Sequence, residues 1–144
     1  MPPATLPIFA MQFSRGKEEA SDYHWNLTII TDSATRTGIV HQVTGCTYCY
    51  GYERNPRQRL EHSPQWRGSL HLGSVPKDRL NEIERILESV PIDNSDPQFN
   101  CQVWTFLAVA RLRQMGFGIA PGLTMLSLRS KLSEVNEAWQ SGDI

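Results

Sequence analysis

The sequence predicts an α+β fold: a small, largely antiparallel sheet from the first half of the chain, packed against a helix that carries a cysteine. Three observations lead there. Period-two alternation marks residues 23–31, helical spacing of apolar residues marks the second half, and turn chemistry separates the segments without any internal repeat. With 144 residues, 40% hydrophobic and 20% charged, the chain is sized for a single domain, 1–144, around one core.

The elements follow in order. Residues 7–13 are a short apolar run of β-compatible character, and residues 14–22 are a polar link that reads as a loop. Residues 23–31 alternate, with Trp25, Leu27 and Ile29 on one face and His24, Asn26 and Thr28 on the other, the signature of a strand. Turn residues 32–38 join it to the β-branched segment 39–44, so a hairpin is the simplest pairing, with His24 and His41 expected as neighbours. Tyr48, Tyr50 and Tyr52 alternate before Arg54-Asn55-Pro56-Arg57-Gln58-Arg59, which reads as a surface loop.

Residues 67–74 offer one more strand. Ser74 stands where an N-cap would open a helix over 75–90, with Leu80, Ile83, Ile86, Leu87 and Val90 at helical spacing. Asp96-Pro97 is a cap-then-first-turn signature for a second helix running to about Met115, ended by Gly116 and Gly118. A last amphipathic stretch, 123–139, carries Leu126, Leu128, Leu132, Val135 and Trp139.

Composition narrows the function classes. Fourteen Lys and Arg against 15 Asp and Glu leave a net charge of −1, which supplies no overall pull toward nucleic acid or an anionic membrane. Three cysteines are an odd number, and Met1-Pro2-Pro3-Ala4-Thr5-Leu6 lacks the basic start and apolar run of a signal peptide; reduced thiols in the cytoplasm are expected. No run reaches the roughly 18 apolar residues of a membrane span. The expected partner is a small-molecule or peptide substrate, with no cofactor.

Cys101 falls in the first turn or two of the second helix, where free backbone N–H groups and the helix dipole favour thiolate. Cys101, Trp104, Ala108, Leu112 and Met115 share one stripe, which would aim the sulfur at the sheet and its histidines. A nucleophilic thiol needs a base in reach, and the base needs a partner on its other ring nitrogen; His24 and His41 fit those two offices. Against this stands the reading of Cys101 as a small core hydrophobe and His24 as an ordinary strand imidazole.

Other groups carry weaker signals. Cys46-Thr47-Tyr48-Cys49 with His41 supplies three metal ligands where structural zinc takes four, so no metal is expected. A redox role for that pair would want a following helix, which Tyr50-Gly51-Tyr52 does not resemble. His71 reads as a structural imidazole and His62 as an exposed one. The tyrosines with Arg54, Arg57 and Arg59 mix aromatic and basic groups as single-strand binders do, yet a Pro-containing arginine loop reads as a solvated edge.

The string Phe99-Asn100-Cys101-Gln102-Val103-Trp104 entering a helix resembles the Asn-Cys-x-x-Phe element of lecithin-retinol-acyltransferase-like and PPPDE cysteine enzymes. These belong to the circularly permuted papain-like group of the NlpC type. In the acyltransferase-like branch a His-Trp pair opens a strand, a second His follows on the next strand and the Cys comes later on a helix. Here His24-Trp25, His41 and Cys101 stand in that order, and the likeness spans about residues 23–113. The chain is also similar to small, largely uncharacterised fungal proteins with a His-Trp strand, a Val-Pro-Ile run like residues 90–92, and Asn-Cys.

The resemblance implies a circularly permuted papain-like fold and a hydrolase or acyltransferase acting on an amide, ester or thioester. In it Cys101 would be the nucleophile, His24 the general base and His41 the polar third member, with Tyr23, Trp25 and Trp104 lining the substrate. Gln102-Val103-Trp104 departs from the acidic or amide residue and His that precede the aromatic in the better-known enzymes. The hydrophobic C-terminal anchor of many lipid-acting relatives is also missing. Two alternatives stay open: a non-covalent isomerase or cyclase using His24 and His41 as acid and base, and an inactive ligand-binding protein on the same scaffold.

Overall fold

The alternation at Trp25, Leu27 and Ile29 becomes the second of five strands, and its parity decides which side chains meet the helices. The computed structural model of the chain describes residues 4–16 and 19–144. Met1, Pro2 and Pro3 of the leader reading, and Lys17 and Glu18 of the polar link, lie outside them. Strands β1 (Thr5–Phe13), β2 (His24–Asp32), β3 (Thr37–Thr44), β4 (Gly51–Gln58) and β5 (Trp66–Pro76) form one antiparallel sheet in the order β4-β3-β2-β1-β5. Helices α1 (Leu80–Glu88), α2 (Cys101–Gln114) and α3 (Met125–Gln140) pack on one face. The α+β class therefore holds.

That helix-side face carries Leu6, Ile8 and Ala10 of β1, Trp25, Leu27 and Ile29 of β2, and Leu72 and Val75 of β5. Ile83 and Leu87 of α1, Trp104, Ala108 and Leu112 of α2, and Leu128 and Leu132 of α3 close over them, all at most 1% exposed. The stripe read from Cys101 extends to Leu112 but not to Met115, which is exposed because the helix ends there, past the sheet. The opposite face holds a second, small cluster of Phe9, Met11, Phe13 and Ile30, covered by Leu60 and Trp66. β1 is thus buried on both sides. Gly38 in the β2–β3 hairpin has a steric reason, since a Cβ there would lie 2.5 Å from the Ile29 carbonyl oxygen.

Three expectations are corrected. The arginine segment 54–59 is largely not a loop: Arg54 to Gln58 belong to β4, which pairs only with β3. An edge strand needs backbone pairing on one side alone, so it tolerates charges and even Pro56, which sits where the register slips between Gly38 and Val40. Ser74 does not cap a helix. β5 continues through Val75 and Pro76 because Leu6 and Thr5 of β1 extend to pair with them, and α1 starts only at Leu80 after a 3₁₀ turn. Asp96 does not open the second helix either. Its carboxylate accepts the Gln98 N–H in a separate turn, and the true cap is Asn100, whose side-chain oxygen accepts the N–H groups of Gln102 and Val103, both at 3.0 Å.

Candidate active site

Because Asn100 is the cap, Cys101 is the first residue of α2, the position whose N–H the cap leaves untouched. Gln102, buried at the second position, donates from Nε2 to the carbonyls of Ser21 and Tyr23, each at 2.9 Å. These bonds moor the start of β2 to the start of α2. The residue that departs from the better-known enzymes thus has a structural task, with Thr105 Oγ1 donating back to the Cys101 carbonyl at 2.7 Å.

The strands are arranged to receive the sulfur. β2 pairs with β3 only from Leu27↔His41 onward, although β2 begins at His24 and β3 runs to Thr44. Over those residues β3 stays with β4 and β2 stays with β1, so a split opens between the two central strands. In this stretch β2 and β3 make no ladder bonds to each other. Burial pushes the thiol up from its ordinary value, and the N–H groups of Trp25, Cys101 and Gln102 together with the Arg15 charge pull it back only in part. The thiolate expected from the helix dipole is therefore not the resting form.

His24 lies across the sheet from that helix layer. Its ring is buried, with Nε2 2.6 Å from Gln42 Oε1 and Nδ1 2.6 Å from the Arg15 guanidinium. Gln42 in turn donates from Nε2 to Asn55 at 2.9 Å and to Glu53 at 3.3 Å, which fixes its oxygen toward His24. The chain of polarity assigns the proton to His24 Nε2 and leaves Nδ1 accepting from Arg15. Desolvation by burial lowers the His24 pKa to about 4, so the imidazole is neutral. It borders a polar cavity of about 330 Å³ that Arg15, Asn26, Gln42, Glu53 and Asn55 also line.

His41 stands on the other face. Its partner in register is Leu27, which places it under the helices, while His24 shares the parity of Asn26 and Thr28. The two histidines are therefore not neighbours, because the hairpin register puts an odd offset between them. His41 Nδ1 accepts from the Tyr52 hydroxyl at 2.7 Å, and Nε2 faces Glu84 at 3.5 Å, short of a hydrogen bond. Glu84 is also paired with Arg54. Burial lowers the His41 pKa to about 4 and raises that of Tyr52 to about 12.

Among the described residues, no hydrogen bond joins the Cys101 sulfur to either imidazole. Tyr23, Trp25 and Trp104 are all buried in the core, Trp104 completely, so Trp104 presents no surface to a substrate. Trp25, Asn100 and Gln102 flank Cys101 and line one end of a cavity of about 550 Å³, whose other wall is Leu126 and Arg129 of α3. Sequence reasoning missed Arg15 and Gln42. Gln42 had a readable signal, since it shares a strand with His41 at the opposite parity; Arg15 had none.

Cys46 and Cys49 are exposed and lie in a turn rather than a strand, with the Cys49 N–H donating to the Cys46 carbonyl at 2.8 Å. No group of three or more His, Cys, Asp or Glu side chains among the described residues is placed to hold a metal ion. His41, wholly buried and bonded to Tyr52, is not arranged with the two cysteines. No helix among the described residues is long and apolar enough to cross a membrane.

Comparison with known proteins returns one match. The model of a family of unknown function, DUF6540, covers residues 10–117. No curated protein and no solved structure matches the chain.

Proposed function

The chain belongs to the DUF6540 family, and since that family's function is unknown we propose from the site itself that it is a cysteine-dependent hydrolase or acyltransferase on a circularly permuted papain-like scaffold. The substrate class is an amide, ester or thioester. One observation carries the reading: the thiol belongs to the first residue of α2, at a capped helix start, beside the stretch where β2 and β3 are unpaired and next to the strand that carries His24 and Trp25. A cysteine kept only as core filling has no need of both a capped helix terminus and a strand split beside it.

The resting pair is a neutral thiol and a neutral imidazole. For chemistry, His24 must leave Gln42 and Arg15 and move with the unpaired end of β2 toward the sulfur, since rotation about its Cα–Cβ bond alone keeps the ring on the face away from α2. It then takes the Cys101 proton as the sulfur attacks the substrate carbonyl carbon. The carbonyl oxygen becomes an oxyanion held by the Cys101 N–H at the helix start, which the Asn100 cap does not use. The imidazolium returns its proton to the leaving group as the C–N, C–O or C–S bond breaks, leaving an acyl thioester on Cys101. Water, or an acceptor nucleophile for transfer, attacks that thioester with His24 again as base and frees the thiol.

A second reading has its own support. Both His24 nitrogens are already engaged, on the face away from Cys101, in a polar cavity. That arrangement suits non-covalent binding or acid–base chemistry of a small polar molecule, with Cys101 uninvolved.

p-Nitrophenyl acetate separates the two. The covalent reading expects a burst of p-nitrophenol and a single acetyl thioester mapped to Cys101, abolished in Cys101→Ala and slowed about a hundredfold in His24→Gln. Acetylation confined to Cys46 and Cys49, or a burst indifferent to His24→Gln, overturns it.

A further inference from the structure

The Cys46–Cys49 turn has no part in the proposed acyl chemistry, yet its two sulfurs are brought together by the backbone. The 2.8 Å bond from the Cys49 N–H to the Cys46 carbonyl closes the turn, and Tyr48 inside it takes a left-handed φ of 71°. Gly45, at φ 123°, permits the close return, because a Cβ there would lie 2.5 Å from the Cys49 carbonyl oxygen. The far end is clamped. Asn94 Oδ1 accepts the Tyr50 N–H at 2.9 Å, Asn94 Nδ2 donates to the Tyr50 carbonyl at 3.0 Å, and the Tyr50 ring packs edge-on against Phe99. Both thiols remain exposed to solvent.

We infer that Cys46-Thr47-Tyr48-Cys49 is a redox-active dithiol that closes to an intraturn disulfide by exchange with a low-molecular-weight disulfide such as oxidised glutathione. A turn pinned at both ends holds the second thiol at high effective concentration once the first has reacted. Both thiols are exposed, so whichever ionises first displaces one glutathione thiolate and forms a mixed disulfide. The other thiol then gives up its proton to solvent and attacks the sulfur of the modified cysteine, displacing the second glutathione. The two cysteines lose two electrons, and one glutathione disulfide becomes two glutathione thiols. No helix follows the pair, so it lacks the dipole that activates dithiol oxidoreductases; this is a responsive disulfide, not a catalyst of disulfide formation.

The test uses the full chain in oxidised glutathione at pH 8, with acid quenching and peptide mass mapping. Wild type is expected to accumulate a peptide spanning residues 46–49 that is two hydrogens lighter, with little glutathione retained. Cys46→Ser should retain glutathione on Cys49 and Cys49→Ser should retain it on Cys46, each as the mixed disulfide that wild type resolves. Stable mixed disulfides on wild type, or no oxidation of the pair, overturn the inference. The result is independent of whether Cys101 is acylated, since the readout maps only the turn.

Discussion

The two faces of the sheet bury very different material, and each buries one histidine. Beneath the helices lie large apolar side chains from all three helices and four strands, with His41 as a polar intrusion held by Tyr52 and Glu84. On the far face a few apolar residues from β1 and β2 share the surface with His24, Asn26, Thr28 and Gln42, tied in hydrogen-bonded runs. The helix face supplies stability through volume. The far face supplies a fixed pattern of donors and acceptors, which is what a small polar molecule or a movable base requires.

The largest expected effect probes the helix face. Trp104 is fully buried between α2 and the sheet, so Trp104→Ala should cost about 3–5 kcal/mol in urea unfolding, with the free energy limited by how far the void collapses. Leu60→Ala, truncating a half-buried cover residue of the far face, should cost much less. Equal losses would mean that the far face carries as much of the stability as the helix-covered core.

The next effect sets one histidine against the other. Both have a pKa lowered to about 4 by burial, against an ordinary 6.5, so between those values the unfolded chain binds protons that the folded chain refuses. Stability contributed by each neutral ring is complete above pH 6.5 and is lost as pH falls through about 4, on the order of 3 kcal/mol per histidine. Urea midpoints at pH 7.5 and 4.5 should therefore differ strongly in wild type, and His24→Gln and His41→Gln should each remove about half of that difference. If one variant removes nearly all of it, the two faces do not desolvate their histidines alike.

The face of each histidine explains how much was legible beforehand. Alternation at Trp25, Leu27 and Ile29 gave the strand and its helix-side face because the apolar helix layer selects every second residue, while the residues between them, His24, Asn26 and Thr28, are buried in polar company on the other face. It could not give the hairpin register. Leu27 pairs with His41, and a slip of one position would have carried His41 to the face of His24. β4 was hidden for a related reason, since an edge strand of Glu53, Arg54, Pro56 and Arg57 is held by backbone bonds that leave no hydrophobic trace. Cys101 near a helix start was read from Asp96-Pro97, which sets the start four residues too early, whereas the bonds from Gln102 to Ser21 and Tyr23 join residues about eighty positions apart, and no local pattern encodes them.

The smallest effect tests whether the start of α2 is a fixed platform for the sulfur. Asn100→Ala removes the acceptor for the N–H groups of Gln102 and Val103 and should cost about 1 kcal/mol, the ordinary worth of a helix cap. Because Gln102 separately ties this turn to Ser21 and Tyr23, the first turn should fray without leaving the sheet, and amide exchange should quicken at residues 101–103 but not beyond Ala108. Exchange that spreads to the end of α2 would mean the cap organises the whole helix. In that case the sulfur owes its position to Asn100 and not to the mooring of β2, and the contrast between a rigid helix face and an adaptable far face would fail at the one place where the two meet.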